Sequence, residues 1–212
     1  MDLPRAIVFD KDGTLIDAAA TWGPVFAAVV PEIAGGRAEA VAAVLGVSLV
    51  DGTLAPDSVV VAGSNAEIAA TIATVLPQSA TDVLASLEPR VEALVTRHAI
   101  PLAVTGRVLD TLDQQGIWKG IATNDAARST ERQLEQLGWR RHFASVLGYD
   151  SGFGTKPDPG MLHESARRAG VSIDDLVFYG DSETDRRTAA AAGCHFELVG
   201  PHRPLDHTLP VD

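Results

Sequence analysis

The chain has 212 residues, 46% of them hydrophobic and 21% charged, the balance of an ordinary globular protein: one sizeable domain, or a core domain carrying a smaller insertion. Its 17 basic and 28 acidic residues give a net charge of −11, which opposes nonspecific attraction to nucleic acid or anionic membranes and requires that any anionic substrate be held by local groups. No apolar run approaches the ~18 residues of a membrane helix, the opening "MDLPR" carries no secretory pattern, and the single Cys194 cannot form an internal disulfide, so a cytoplasmic location is the expectation.

In chain order, the first apolar run is "AIVF" at residues 6–9, a strand that ends directly on "DKDGT" at 10–14. Residues 18–99 differ in character. They are rich in Ala and Val, with helical stretches around 18–30, 36–45, 65–75 and 79–98 and with Pro and Gly mainly between them, so a mainly helical insertion is expected. Within it, "VSLVDGTLAPDSVVV" at 47–61 suits a hairpin about the Asp51-Gly52 turn. From about residue 100 the chain alternates strand and helix. "PLAVTGRVLDTL" at 101–112 reads as a hinge into a helix, and further strands are expected at 120–124, 144–149, 176–180 and 195–199. They are separated by "AARSTERQLEQLG", "PGMLHESARRAG" and "ETDRRTAAAAG", each with one apolar helical stripe and a closing Gly. The predicted class is α/β: a doubly wound, mostly parallel sheet formed by residues 1–17 and 100–212, interrupted by the helical segment 18–99.

In such a sheet the ligand crevice lies beyond the carboxyl ends of the strands. Asp10 is delivered there by the first strand, and the period of two in extended chain lets Asp12 face the same space. Gly13 then permits a sharp turn with exposed amides. "DGTL" recurs at 51–54, but Leu49 stands where the first copy has Asp10, so the second copy reads as a turn only. Thr123 and Asn124 precede a helix beginning near Ala126, where hydroxyl, amide and backbone N–H groups can receive phosphate oxygens; alternatively, Asn124 or Asp125 caps that helix. "SETD" at 182–185 is likewise a capping pattern, with Asp185 three residues after Ser182. Lys156 is one of three lysines, the others being Lys11 and Lys119. The six histidines show no metal-ligand spacing, and His202 and His207 in the Pro-rich tail read as solvated.

Four stretches in this order, "DKDGT" at 10–14, "ATND" at 122–125, "KPDPG" at 156–160 and "GDSETD" at 180–185, resemble the motifs of the haloacid dehalogenase-like hydrolase superfamily, most closely its phosphoglycolate-phosphatase-like members. Residues 18–99 lie where that superfamily places a helical cap of the C1 type. The resemblance implies a Mg²⁺-dependent phosphatase that hydrolyses a small phosphorylated metabolite through an aspartyl-phosphate, which divides one hard hydrolysis into two easier displacements. Asp10 would be the nucleophile and, with Asp181 and the backbone carbonyl of Asp12, a metal ligand. Asp12 would act as general acid and then general base, and Lys156 would neutralise charge developing on the phosphoryl oxygens. Thr123 and Asn124 would bind the phosphate, and Asp185 would be an outer partner of the metal or of Lys156. A phosphosugar mutase on the same core is the alternative within the superfamily, and a catalytically idle binding or regulatory protein is the alternative outside it. The second Asp of the first motif argues against a dehalogenase. The absence of Lys from residues 12–118 argues against a phosphonate-cleaving member. Two features depart from the family pattern: Lys11 stands where an apolar residue is frequent, and 101–112 lacks a compact Pro-Gly turn. In the cap the basic residues are Arg37, Arg90, Arg97 and His98; if the substrate carries a second anion, an Arg is its expected partner.

Overall fold

The computed structural model describes residues 4–95, 97–200 and 203–209; His202 lies outside them, as does the side chain of His207. After strand β1 (Ala6–Phe9) come helices α1 (Ala18–Ala34), α2 (Ala38–Leu45), α3 (Val59–Ala62), α4 (Asn65–Ala73) and α5 (Ala80–Val95). The chain continues through α6 (Thr105–Gln114), β2 (Trp118–Ala122), α7 (Ala127–Gln136), β3 (Ser145–Leu147) and α8 (Gly160–Ala169). It closes with β4 (Leu176–Gly180), α9 (Glu183–Ala192), β5 (His195–Leu198) and α10 (Leu205–Thr208). Two compact units result, one formed by the chain up to Asp17 together with Pro101 onward, the other by Ala18–Ile100.

The first unit is built on a five-stranded parallel sheet of order β3-β2-β1-β4-β5. β1 is central and Phe9 is in register with Ile121 of β2 and Tyr179 of β4. The residues that follow these three strands therefore leave the sheet side by side at the point where the strand order reverses, which is where open α/β sheets hold ligands. β1 is apolar at every position because both faces are covered. Ile7 and Phe9 pack with Leu109, Leu112, Leu134 and Phe143 on one face, and Val8 with Met161, Leu162, Phe178 and Ala189 on the other. β2 starts at Trp118, two residues before the apolar run suggests. Lys119 is buried within it, its Nζ 2.6 Å from Asp113 Oδ1, so an ion pair conceals a charge inside the strand. At the re-entry, Thr105 Oγ1 donates to the Leu15 carbonyl at 3.0 Å and Leu102 N–H to the same oxygen at 3.1 Å, which ties the start of α6 to the loop after β1. Cys194 is half-buried, and burial pushes its thiol up to about 11, as befits an inert packing residue.

The second unit has its own apolar core. Val83, Leu87, Val91 and Val95 recur every four residues along α5 and meet Phe26, Val29 and Val30 of α1 and Ile68 and Ile72 of α4. Pro24, Pro31 and Pro89 lie inside helices rather than between them. Each removes a backbone hydrogen bond, at roughly 3 kcal/mol, and burial of several large side chains at about 1.5–3 kcal/mol each offsets that. The segment 47–61 forms a turn but not a full hairpin. Gly52 N–H donates to the Ser48 carbonyl and a single bridge joins Val47 to Leu54, but Val59–Ala62 is helical because the Ser58 hydroxyl accepts the Val60 N–H and caps it. Among the described residues no helix is long and apolar enough to cross a membrane.

Candidate active site

Asp10 is the first residue beyond β1, and its N–H still donates to Tyr179 at 2.8 Å, so the sheet ladder fixes its backbone. Its side chain is buried: Oδ1 accepts Lys156 Nζ at 2.5 Å and Oδ2 accepts the Thr14 hydroxyl at 3.4 Å. Burial pushes the Asp10 carboxyl well above the usual carboxylate range; Lys156 pulls it back, while Asp185, Asp181 and Asp12 push it up. The loop then turns tightly, with the Lys11 carbonyl accepting N–H groups from Thr14, Leu15 and Ile16. At its apex Gly13 has φ +83°, and a Cβ there would fall 2.0 Å from Asp181 Oδ2. Only glycine allows the Asp181 carboxylate to lie against this loop.

Asp181 follows β4 and is partly exposed. Burial is the main cause that raises its pKa to about 6, Asp185 adds to it, and Lys156 opposes it. Asp185, in the first turn of α9, does two things at once. Its Oδ2 accepts Ser182 N–H at 3.1 Å and Ser182 Oγ at 2.6 Å while its own N–H donates to Ser182 Oγ, a capping box. Its Oδ1 accepts Lys156 Nζ at 2.6 Å. Asp10, Asp181 and Asp185 each place a carboxylate oxygen within 4.8 Å of the others, an arrangement that could hold a metal ion.

Lys156 thus stands between Asp10 and Asp185, with Nζ 5.7 Å from the centroid of Phe178. Burial alone would lower its pKa, but the two carboxylates more than offset that, and the ammonium stays charged. Asn124 clamps its backbone: Oδ1 accepts Lys156 N–H at 2.8 Å and Nδ2 donates to the Lys156 carbonyl at 3.1 Å. Thr123, buried at the end of β2, accepts the Asp125 N–H on Oγ1 at 3.1 Å, which orients its O–H as a donor. The start of α7 takes its side-chain acceptors from Asp125, whose Oδ1 meets Ala126 N–H at 2.7 Å, and from Asp150, whose Oδ1 meets Ala127 N–H at 2.8 Å.

The model of the family described as haloacid dehalogenase-like hydrolase matches residues 4–193. The chain belongs to the haloacid dehalogenase-like hydrolases. Among relatives, it is 34% identical over 194 residues to a phosphoglycolate phosphatase of Xanthomonas campestris pv. campestris (strain 8004), covering 91% of this chain and 81% of that protein. Two solved structures share the fold. One is a subfamily IA hydrolase from Geobacter sulfurreducens PCA (TM-score 0.66, 21% identity, 93% of this chain and 88% of that one). The other is CbbY from Rhodobacter sphaeroides in complex with phosphate (TM-score 0.70, 19% identity, 96% and 89%).

One residue of this haloacid dehalogenase-like hydrolase has no role that its sequence discloses. Lys11 is fully buried, with Nζ 2.9 Å from Asp12 Oδ2, 2.9 Å from Asp125 Oδ2 and 2.7 Å from Gln133 Oε1. Burial pulls its pKa down, yet Asp12 and Asp125 raise it further, so it too is charged. Nothing local signals this, because Asp125 and Gln133 lie 114 and 122 residues away. A second convergence of possible ligands, Asp110, Asp113 and His142, lies toward the opposite end of the sheet, where Lys119 already neutralises Asp113.

Proposed function

We propose that this hydrolase is a Mg²⁺-dependent phosphatase that cleaves a small phosphomonoester through a phosphoryl group carried on Asp10. The observation that carries this reading is the Asp10 carboxylate at the exit of the central strand, held by Lys156 and crowded by Asp181 and Asp185. The residues fit a divalent cation. Lys11 and Lys156 share the cluster with five carboxylates, Asp10, Asp12, Asp125, Asp181 and Asp185, so carboxylates outnumber the cations the chain supplies; burial first, and neighbouring carboxylates in addition, push Asp10 and Asp181 up. Hard oxygen donors of this kind suit Mg²⁺, and Asp10, Asp181 and the Asp12 carbonyl would hold it. Bound there, Mg²⁺ would neutralise the phosphoryl oxygens and orient them for in-line displacement.

The chain's own groups then do the following. A carboxylate oxygen of Asp10 attacks phosphorus as the bond to the leaving oxygen breaks, and Asp12 gives that oxygen its proton. Asp12 next takes a proton from water as the water oxygen attacks phosphorus, which releases phosphate and restores Asp10. Lys156 offsets the charge on the phosphoryl oxygens, the Thr123 hydroxyl donates to one of them, and Asn124 serves by holding the Lys156 backbone. Asp185 aligns the Lys156 ammonium. The Xanthomonas relative's name supports a carboxylated substrate of the phosphoglycolate class. If the substrate carries a second anion, one of the arginines Arg37, Arg90 and Arg97 of the second unit is its expected partner. The single cysteine, which can form no internal disulfide, supports a cytoplasmic enzyme. The test is hydrolysis of a panel of small phosphorylated metabolites, 2-phosphoglycolate included, with and without Mg²⁺. Hydrolysis that vanishes in EDTA and returns with Mg²⁺ is expected, and a panel on which the protein shows no Mg²⁺-dependent phosphate release would overturn the reading.

A further inference from the structure

Lys11 takes no part in the chemistry just described, yet it is built into the centre of the site. A lysine is almost never fully buried unless paired, and this one points its ammonium at three acceptors, Asp12 Oδ2, Asp125 Oδ2 and Gln133 Oε1, all within 2.9 Å. Three acceptors around a group with three donors make a fixed node rather than a mobile charge. The acceptors other than Asp12 are bonded or buried. Asp125 is held by its Oδ1 on Ala126 N–H and by its N–H on Thr123 Oγ1, and Gln133 is buried on α7. The Asp12 side chain, by contrast, is 17% exposed while that of Lys11 is 1% exposed, so the node grips Asp12 from its inner side.

We propose that Lys11 is a positioning residue that ties the Asp12 carboxyl to the start of α7 and so fixes the geometry of proton transfer to the leaving oxygen. This rests on the reading of Asp12 as proton donor. The consequence reaches further than one contact. Lys11 joins the first motif to Asp125, which is adjacent to Asn124, and Asn124 clamps Lys156. The proton donor, the Thr123 hydroxyl and the Lys156 ammonium are thereby tied to a single frame, and tolerances of a fraction of an ångström in such a frame decide rates.

The test is Lys11→Met, which keeps the stem and removes the ammonium, assayed by the first burst of alcohol release with two substrates. An aryl phosphate with a strongly acidic phenol departs without a proton, whereas an alkyl phosphomonoester departs as an alkoxide that needs one. The expected burst rate falls by about 100-fold for the alkyl ester and by less than about threefold for the aryl ester, the lower range of what a general acid contributes, with the substrate dissociation constant, read from the concentration dependence of the burst rate, unchanged for both. Equal slowing of both esters would mean a merely structural lysine and would overturn the proposal while leaving the phosphatase reading intact. A wild-type protein inert toward both esters would instead overturn that reading, and this inference with it. If Lys11→Met does not fold, Lys11→Met/Asp125→Asn removes the buried carboxylate left unpaired and carries the same expectation. A readout independent of turnover is the ¹⁵N signal of the Lys11 ammonium in metal-free protein, identified by its loss in Lys11→Met. It should shift in Asp12→Asn, and an unmoved signal would contradict the contact on which the proposal stands.

Discussion

Replacing Asp181 with Asn should make the metal-free protein more stable at neutral pH while removing its response to Mg²⁺. Burial and the neighbouring Asp185 raise the Asp181 pKa from 3.8 to about 6, about 2 units at ~1.4 kcal/mol each, or roughly 3 kcal/mol. Because the side chain is partly exposed, solvent screening reduces this to about 2 kcal/mol. The sign follows from proton linkage. A carboxyl whose folded pKa lies above its unfolded value binds the proton more tightly when folded, so stability is greatest below about pH 4 and is lost as pH rises through about 6. The Asn side chain is neutral throughout. In EDTA, thermal unfolding of wild type and Asp181→Asn should therefore coincide near pH 4 and separate at pH 7 by about 2 kcal/mol in favour of the variant, or ~4–8 °C for a chain of this size. Mg²⁺ should then raise the wild-type midpoint through preferential binding to the folded state and leave the variant's nearly unchanged. A variant less stable than wild type at pH 7 in EDTA would refute the claim that the acidic cluster is a metal site held at the expense of stability.

Asp12→Ala should slow both formation and breakdown of the phosphorylated enzyme in rapid-quench kinetics, because one carboxyl serves both half-reactions; an effect on breakdown alone would contradict the acid role. Lys156→Met strips the partner from two buried carboxylates, Asp10 and Asp185, and should lower the stability of metal-free protein by about 3–5 kcal/mol in denaturant titrations, with loss of turnover when Mg²⁺ is restored. If the substrate carries a second anion, replacement of Arg37, Arg90 and Arg97 by Ala, one at a time, should in at least one case raise KM for a carboxylated phosphomonoester and spare an aryl phosphate, whereas no such change in any of the three would remove these arginines from substrate selection.

What could be read from the chain alone was what depends on near neighbours. The β1 run Ala6–Phe9 is legible because a strand covered on both faces is apolar throughout, and its end is legible because Asp10 and Asp12 break that run at once. The start of β2 was hidden because the charge of Lys119 is cancelled by Asp113 on another element. The Val59–Ala62 run has strand composition, yet it forms a helical turn opened by the Ser58 cap. The capping and phosphate-site readings of Asn124 could not be separated in sequence, since its amide meets the backbone of a residue 32 positions away. Asp185 left the same choice open, and the fold makes it a cap and a partner of Lys156 together. Lys11 was opaque altogether, because a lone lysine announces a solvated surface group and its burial depends on partners more than a hundred residues distant.

The central claim, that Asp10 carries the phosphoryl group, is tested most directly by acid-quenching the Mg²⁺-loaded enzyme during turnover of its preferred phosphomonoester and mapping the peptides by mass spectrometry. The account predicts one phosphoryl group on the peptide containing Asp10, absent from Asp10→Asn and discharged when the wild-type enzyme is left to complete its turnover before the quench. An active enzyme with no covalent phosphoryl group at any point in turnover, or with that group on another residue, would contradict it.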